Sequence, residues 1–334
     1  MSVQRTAPHR KNLDLESVLG ALSAAVAPGG DVLAQAAGEP RWPMVFIAGT
    51  ARSGSTLLSW WLARSGALAV PSNLVSRFWR APAVGALVEQ LLTDPQLDFR
   101  GELHVPPQVS LPSPYAADIG KTRGLSAPHE FWYFWRHTLG FSDPASLGHE
   151  GRKNADVRAF LGHLAAYEQV VSRPLATKAL IAAWDLDWLG EVVPQALFLD
   201  LRRDPLQTMQ SLLSVRERHS GSRAHWYSFR LPDMTGIEAL SPELQVAVQV
   251  RRMRAAIDQG LSTLKSDRVL AIDHAELCRD PAKQWGRLRE WYGQHGPLDG
   301  FPEHHPDTAP PFRQSVPVTD PVLQHAWDAS AELG

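Results

Sequence analysis

From about residue 44 to residue 292, short apolar runs alternate with stretches in which hydrophobic residues recur every three or four positions. The runs at 45–50, 68–71, 175–180, 196–201 and 268–273 have the length of strands. Leu57, Leu58, Trp61 and Leu62 share one side of a helix, as do Leu206, Met209, Leu212 and Leu213. A third helix is predicted from Pro242 to Leu264, and a fourth from Asp280-Pro281 to Gly293. Alternation of this kind predicts an α/β fold, a parallel β-sheet flanked by helices on both faces. Ahead of it, Leu13 to Val26 reads as an amphipathic helix. The expected organisation is an N-terminal helical extension, 1–42, and a single domain, 43–334. Two stretches, 72–170 and 219–241, break the alternation; insertions of this kind build acceptor pockets in α/β folds.

The first strand leads into Gly49-Thr50-Ala51-Arg52-Ser53-Gly54-Ser55-Thr56. Gly49 and Gly54 keep the glycine spacing of a phosphate-binding loop of the G-x-x-x-x-G-K-[ST] type, but Ser55 stands where that loop has its lysine. The cation has moved to Arg52. A loop between a strand and a helix N-terminus presents amide donors and the positive end of the helix dipole, so it can hold an anion. Without the lysine it is poorly equipped for Mg-ATP. The plain alternative is a glycine-containing turn capped by Ser or Thr.

The fourth run repeats the arrangement. Ala196 to Leu201 enters Arg202-Arg203-Asp204-Pro205, with Asp204 as N-cap and Pro205 as first helical residue. Ser211 lies about two turns beyond the cap, on the face from which Arg203 projects, so the two can share a phosphate.

These segments together resemble the sulfotransferase superfamily. Gly49 to Leu58 is similar to its 5'-phosphosulfate loop, Arg203 and Ser211 to its 3'-phosphate pair, and Ile272 to Leu277 with Arg279-Asp280-Pro281 to the segment leading into a late helix. The resemblance implies a P-loop-like sulfotransferase fold and in-line transfer of a sulfuryl group from 3'-phosphoadenosine-5'-phosphosulfate (PAPS) to a hydroxyl or amine. Adenosine 3',5'-bisphosphate is the implied product. Arg52, Ser53, Gly54, Ser55 and Thr56 would hold the donor's 5' end, Arg203 and Ser211 its 3'-phosphate, and Arg313 in the Pro-rich segment 302–317 a further phosphate. Arg52 would stabilise the bridging oxygen, with Lys178 matching a family lysine near the transferred group.

The chain departs from the family in its base. Lys178-Ala179-Leu180 lacks the histidine found two residues after the lysine in one branch, and Ser72-Asn73 occupies the place of a glutamate in another. Glu130 is the first candidate, because it precedes the aromatic cluster Phe131-Trp132-Tyr133-Phe134-Trp135 and removal from water makes a carboxylate a stronger base. His129, His104 and Asp185 remain open. Pro128 and Glu130 suit a first helical turn. With Phe78, Trp79, Trp226, Tyr227 and Phe229, the aromatics point either to a partly apolar acceptor (small molecule, lipid or glycan) or to ordinary core packing.

Composition changes the picture little. The 334 residues, 44% hydrophobic and 20% charged, suffice for a sizeable core. A net charge of −2 leaves no footprint for nucleic acid or an anionic membrane. Cys278 alone rules out an intrachain disulfide and a zinc cluster, and no metal is expected. His304-His305 should be solvated in a Pro-rich tail. Asp14 and Glu16 interrupt the basic residues that precede the apolar run from Val18, arguing against a secretion signal. No stretch approaches 18 apolar residues, so a soluble cytoplasmic enzyme without a stable anchor is expected. The alternatives are a P-loop kinase or nucleotidase, with Asp200 as its metal-associated acid, and an inactive nucleotide-binding protein.

Overall fold

The computed structural model describes residues 5–98, 100–102, 117–142, 146–307 and 316–333. Strand β1 (Met44–Gly49) is buried along its whole length. A ribbon of β2 (Ala117–Asp118) and β3 (Lys121–Thr122) stands apart from the main sheet. The remaining strands, β4 (Ala176–Lys178), β5 (Ala196–Arg202) and β6 (Val269–Asp273), are parallel to β1 in the order β4-β1-β5-β6.

The continuous apolar run of β1 follows from cover on both faces. Met44, Phe46 and Ala48 enter one core with Phe134, Trp135, Phe160, Met209 and Met253; Val45 and Ile47 enter the other with Leu58, Trp61, Ile272, Trp285 and Tyr292. Each fully buried large side chain contributes about 1.5–3 kcal/mol.

Parallel neighbours require crossovers, and the helices supply them. α1 (Leu13–Ala37) precedes the sheet; α2 (Ser55–Arg64), α3 (Pro82–Thr93), α4 (Trp132–Leu139), α5 (Gly148–Asn154) and α6 (Val157–Val171) lie between β1 and β4. α7 (Leu186–Val192) joins β4 to β5, and α8 (Pro205–Ser220) with α9 (Pro242–Ser262) joins β5 to β6. α10 (His274–Arg279), α11 (Pro281–Gly293) and α12 (Pro321–Ala329) complete the chain. Asp204 and Asp280 cap their helices as the sequence predicts, accepting from Gln207 N and Lys283 N.

The structure corrects three expectations. The run 68–71 makes only a single bridge, Ala69 to Leu175, because Pro71 has no N–H to extend a ladder. His305 is buried rather than solvated, stacked on Trp61 at 4.8 Å and hydrogen-bonded to the Trp61 carbonyl at 2.9 Å; Asp307 then pairs with Arg64 at 2.9 Å.

The third concerns the N-terminus. α1 runs past Val26 to Ala37, and it is the one helix among the described residues long and apolar enough to cross a membrane by length and composition. Its stripe of Leu19, Ser23, Ala27, Gly30 and Ala34 is nevertheless buried. The helix sits close. A Cβ at Gly30 would meet Ala81 Cβ and the Arg80 carbonyl at 2.6 Å, and one at Gly162 of α6 would meet the Ala34 carbonyl at 2.8 Å.

Gly162→Ala therefore tests the α1–α6 contact. Helix propensity alone would stabilise by about 1 kcal/mol, whereas overpacking against a backbone carbonyl costs about 1–3 kcal/mol. A net loss of stability is expected in urea denaturation, and a more stable variant would refute the close packing.

Candidate functional site

The loop from β1 to α2 is shaped by two left-handed residues. Arg52 has φ 68° and Gly54, the N-cap of α2, has φ 97°. Gly54 has a second reason to be glycine: a Cβ there would lie 2.4 Å from His274 Cδ2. Ser53 is fully buried, and its hydroxyl has no hydrogen-bond partner. An orphaned hydroxyl of that kind, beside the first-turn amides of α2, is what an anion-binding loop leaves for its ligand.

Arginines close the loop from the α8 side. Arg52 Nε donates to Ser211 Oγ at 3.0 Å, and Arg203 Nη1 donates to the Arg52 carbonyl at 2.9 Å. The pair expected to share a 3'-phosphate thus converges on Arg52. Burial first, and Arg52 second, push the Arg203 guanidinium below its ordinary pKa.

On the other side stands Lys178, at the end of β4. Its ammonium donates to Thr56 Oγ1 at 2.7 Å and pairs with Glu130 Oε1 at 3.2 Å. Burial pushes the Lys178 pKa down, Glu130 pulls it back up, and Arg52 adds to the fall. Thr56 Oγ1 in turn donates a hydrogen bond to the Gly120 carbonyl at 3.3 Å. The two cations, the loop hydroxyls and one carboxylate therefore gather at the C-terminal edge of β1 and β4, where open α/β sheets place their ligands.

Glu130 comes to this point differently from the sequence reading. It precedes α4 instead of lying in its first turn, because Phe131 adopts φ 58° and turns the chain into the helix only at Trp132. Its side chain is 32% exposed and engaged by a cation and by the Trp132 indole N–H, not enclosed by apolar rings. Phe131, Phe134 and Trp135 belong to the core, while Trp132 stacks on Phe229 at 4.9 Å beside Glu130.

The other candidates have other employment. His129 accepts from Phe131 N at 3.0 Å, and burial lowers its pKa to about 4. Asp185 is buried against Arg152 at 2.8 Å and accepts from Leu147 N. Asp200, the acid a metal-dependent nucleotidase would need, is buried between Arg202 and Arg254, each at 2.7 Å. Among the described residues no group of three His, Cys, Asp or Glu is placed to hold a metal. His104 and Arg313 lie outside the described residues.

Three neighbours were not assigned to the loop from the sequence, although Tyr227 stood among the acceptor aromatics and His274 in the segment likened to the family. A Cβ at Gly120 would lie 3.3 Å from Arg52 Nη1, so the Ile119-Gly120 turn closes directly over the loop. Tyr227 OH donates to the Ile119 carbonyl at 3.4 Å; burial raises its pKa, with Arg52 and Glu130 both felt. His274 backs Gly54, its pKa lowered to about 4 by burial and then by Arg203. The only readable signal was Asp273, whose capping of α10 fixes His274 as the first helical residue. Arg52, Ile119, Phe131 and Ser228 are all non-glycine residues with positive φ, and apart from Ser172 they are the only ones among the described residues. Such strain gathers where surrounding contacts enforce a functional geometry.

No curated protein matches the chain. Among solved structures, the sulfotransferase STF9 from Mycobacterium avium superposes with a TM-score of 0.54 at 17% identity, covering 89% of this chain and 75% of that one. The sulfotransferase STF1 from Mycobacterium tuberculosis H37Rv gives 0.50 at 14% identity, covering 81% and 72%. These likenesses establish the fold. The model of the Sulfotransferase family matches residues 43–295, three-quarters of the chain and all of the sheet and loop just described. The chain belongs to the sulfotransferase family.

Proposed function

We propose that this chain is a PAPS-dependent sulfotransferase acting on an acceptor hydroxyl or amine. The observation that carries the reading is the convergence of Arg52, Lys178 and the orphaned Ser53 hydroxyl on one loop, while Asp200, the acid at the strand end expected of a metal-dependent nucleotidase, is committed to two arginines. That arrangement suits a sulfuryl donor, whose transferred group carries less charge than a phosphoryl group and can be handled by side-chain cations. Residues 43–334 are read as the transferase domain, with 1–42 a helical extension packed on it. We place the enzyme in the cytoplasm; support comes from α1 burying its apolar stripe on the protein.

In this reading Ser53, Gly54, Ser55 and Thr56 hold the 5' end of the donor, and Arg203 and Ser211 hold its 3'-phosphate. Glu130 takes the proton of the acceptor as the acceptor's oxygen or nitrogen bonds to sulfur. Arg52 and Lys178 hold the negative charge that gathers on the 5'-phosphate oxygen as the S–O bond breaks. A lysine whose pKa is lowered by burial also surrenders its proton to that oxygen more readily. Glu130 and Lys178 already touch, so the base and the charge-stabilising group are positioned as one unit.

The first test is donor use. Adenosine 3',5'-bisphosphate should bind in the presence of a metal chelator and stabilise the protein by about 2.7 kcal/mol at a hundred times its Kd. Arg52→Ala should abolish most turnover with PAPS. A strict requirement for Mg²⁺, or normal turnover by the variant, would overturn the assignment.

Arg203→Ala should erase the preference for the 3',5'-bisphosphate over the 5'-monophosphate. The lost charge-assisted bond is worth about 1.5–3 kcal/mol, a factor of roughly 10 to 150 in the ratio of the two Kd values. A ratio equal to that of the wild type would remove Arg203 from the 3' site.

Glu130→Gln keeps the shape of the side chain and removes its basicity. We expect kcat to fall at least about a hundredfold, with bisphosphate affinity retained or improved because Lys178 loses a competing partner. Near-normal kcat would leave Glu130 only a structural partner of Lys178.

A further inference from the structure

An open groove of about 730 Å³ borders the site, lined by Arg5, Arg10, Lys11, His219, Trp226 and Tyr227, with Leu13 and Ser228. Its composition is one-sided. Three permanent cations face it, and no carboxylate is among its lining residues. Three of the acids around it are engaged elsewhere: Asp118 pairs with Arg218, Glu217 with Arg223, and Glu16 accepts from Tyr133 OH at 2.7 Å. Arg5, Arg10 and Lys11 have no ion-pair partner among the described residues.

The backbone between the cations is held in place. Thr6 N donates to the His219 carbonyl at 2.9 Å, Thr6 Oγ1 donates to the Arg218 carbonyl at 2.8 Å, and the His9 and His219 rings lie 5.5 Å apart. The segment before α1 is thereby fastened to the C-terminal end of α8. Like charges brought together without a counterion repel one another, and a binding anion relieves that cost.

The groove reaches the transfer site through Tyr227. That phenol lies within electrostatic reach of Arg52, Glu130, Arg5 and Asp118, and its hydroxyl rests on the Ile119-Gly120 turn that covers Arg52. Trp226, fixed by its indole bond to the Phe229 carbonyl at 3.0 Å, adds an aromatic wall.

We propose that this groove is the acceptor subsite and that the acceptor carries an anionic group, a carboxylate, phosphate or sulfate, on an apolar or aromatic body. Arg5, Arg10 and Lys11 take the anion, and Trp226 and Tyr227 take the body. The hydroxyl or amine to be sulfated then extends past Tyr227 toward Glu130. The inference rests on the function proposed above.

The test uses the full-length protein saturated with adenosine 3',5'-bisphosphate, so a failure of donor binding is seen separately as a failure of the functional reading. Two matched probes, 4-hydroxyphenylacetate and 4-methylphenol, are titrated by calorimetry into the wild type and into R5A/R10A/K11A. The anionic probe should bind the wild type at least about tenfold more tightly than its neutral twin, and the difference should vanish in the triple variant. Affinity for the bisphosphate should be the same in both proteins. Equal affinities for the two probes, no binding of the anionic one, or a preference that survives the triple substitution would each overturn the proposal. Sedimentation with phosphatidylglycerol vesicles distinguishes the source of the anion. Binding to vesicles that needs the three cations, without any preference for the soluble anionic probe, would make the segment a membrane contact and would also overturn it.

Discussion

The ammonium group of Lys178 is the constraint on which the site depends. It is buried at the end of β4, and an ion removed from water costs several kcal/mol unless partners surround it. Thr56 and Glu130 are those partners. One belongs to the first turn of α2 and the other to the segment before α4, so the charge ties the sheet, the loop and the large insertion to a single point. The unusual backbone at Phe131 follows from this: the chain must turn sharply after Glu130 to leave its carboxylate on Lys178 and still begin α4 at Trp132.

The loop shows how a phosphate-binding scaffold works without its lysine. The cation sits two residues before the second glycine, on a residue with positive φ, and is steadied by Ser211 through its side chain and by Arg203 through its carbonyl. Burial first, and the neighbouring Arg52 second, lower the Arg203 pKa. His274 completes the arrangement from behind, neutral and buried, filling the space that any side chain at position 54 would claim. A charged imidazole there would add a further positive charge to a crowded site, and burial prevents it.

The sheet was legible wherever a strand is covered on both faces, because burial leaves a continuous apolar run: β1, β5 and the caps of α8 and α11 follow directly from the residues. Arg52 and Ser211 were placed by their distance from a strand end, Lys178 only by the family resemblance, and the structure brings all three to one loop. The rest depends on contacts that sequence distance hides. Ile119, Gly120 and Tyr227 reach the loop from insertions, His305 finds its stacking partners Trp61 and Trp285 on helices far away in sequence, and α1 proves longer than Val26 because Gly30 and Ala34 suit a close helix crossing rather than a helix end. In the aromatic cluster the core-packing alternative holds for Phe131, Phe134 and Trp135, while Trp132 turns toward Glu130.

α8 brings the two halves of the site into one frame. Ser211, in its second turn, holds Arg52, while His219, near its end, anchors the segment that carries Arg5 and Arg10. Eight residues of helix span about 12 Å at 1.5 Å per residue. A helix is stiff on that scale, so α8 fixes the distance between Ser211, which holds the donor-side cation, and His219, which anchors the cationic segment. An acceptor that fills both must match that length. Small acceptors whose anion and nucleophile are only one or two bonds apart are therefore poor fits to the pair, whereas an elongated body longer than a single ring spans it.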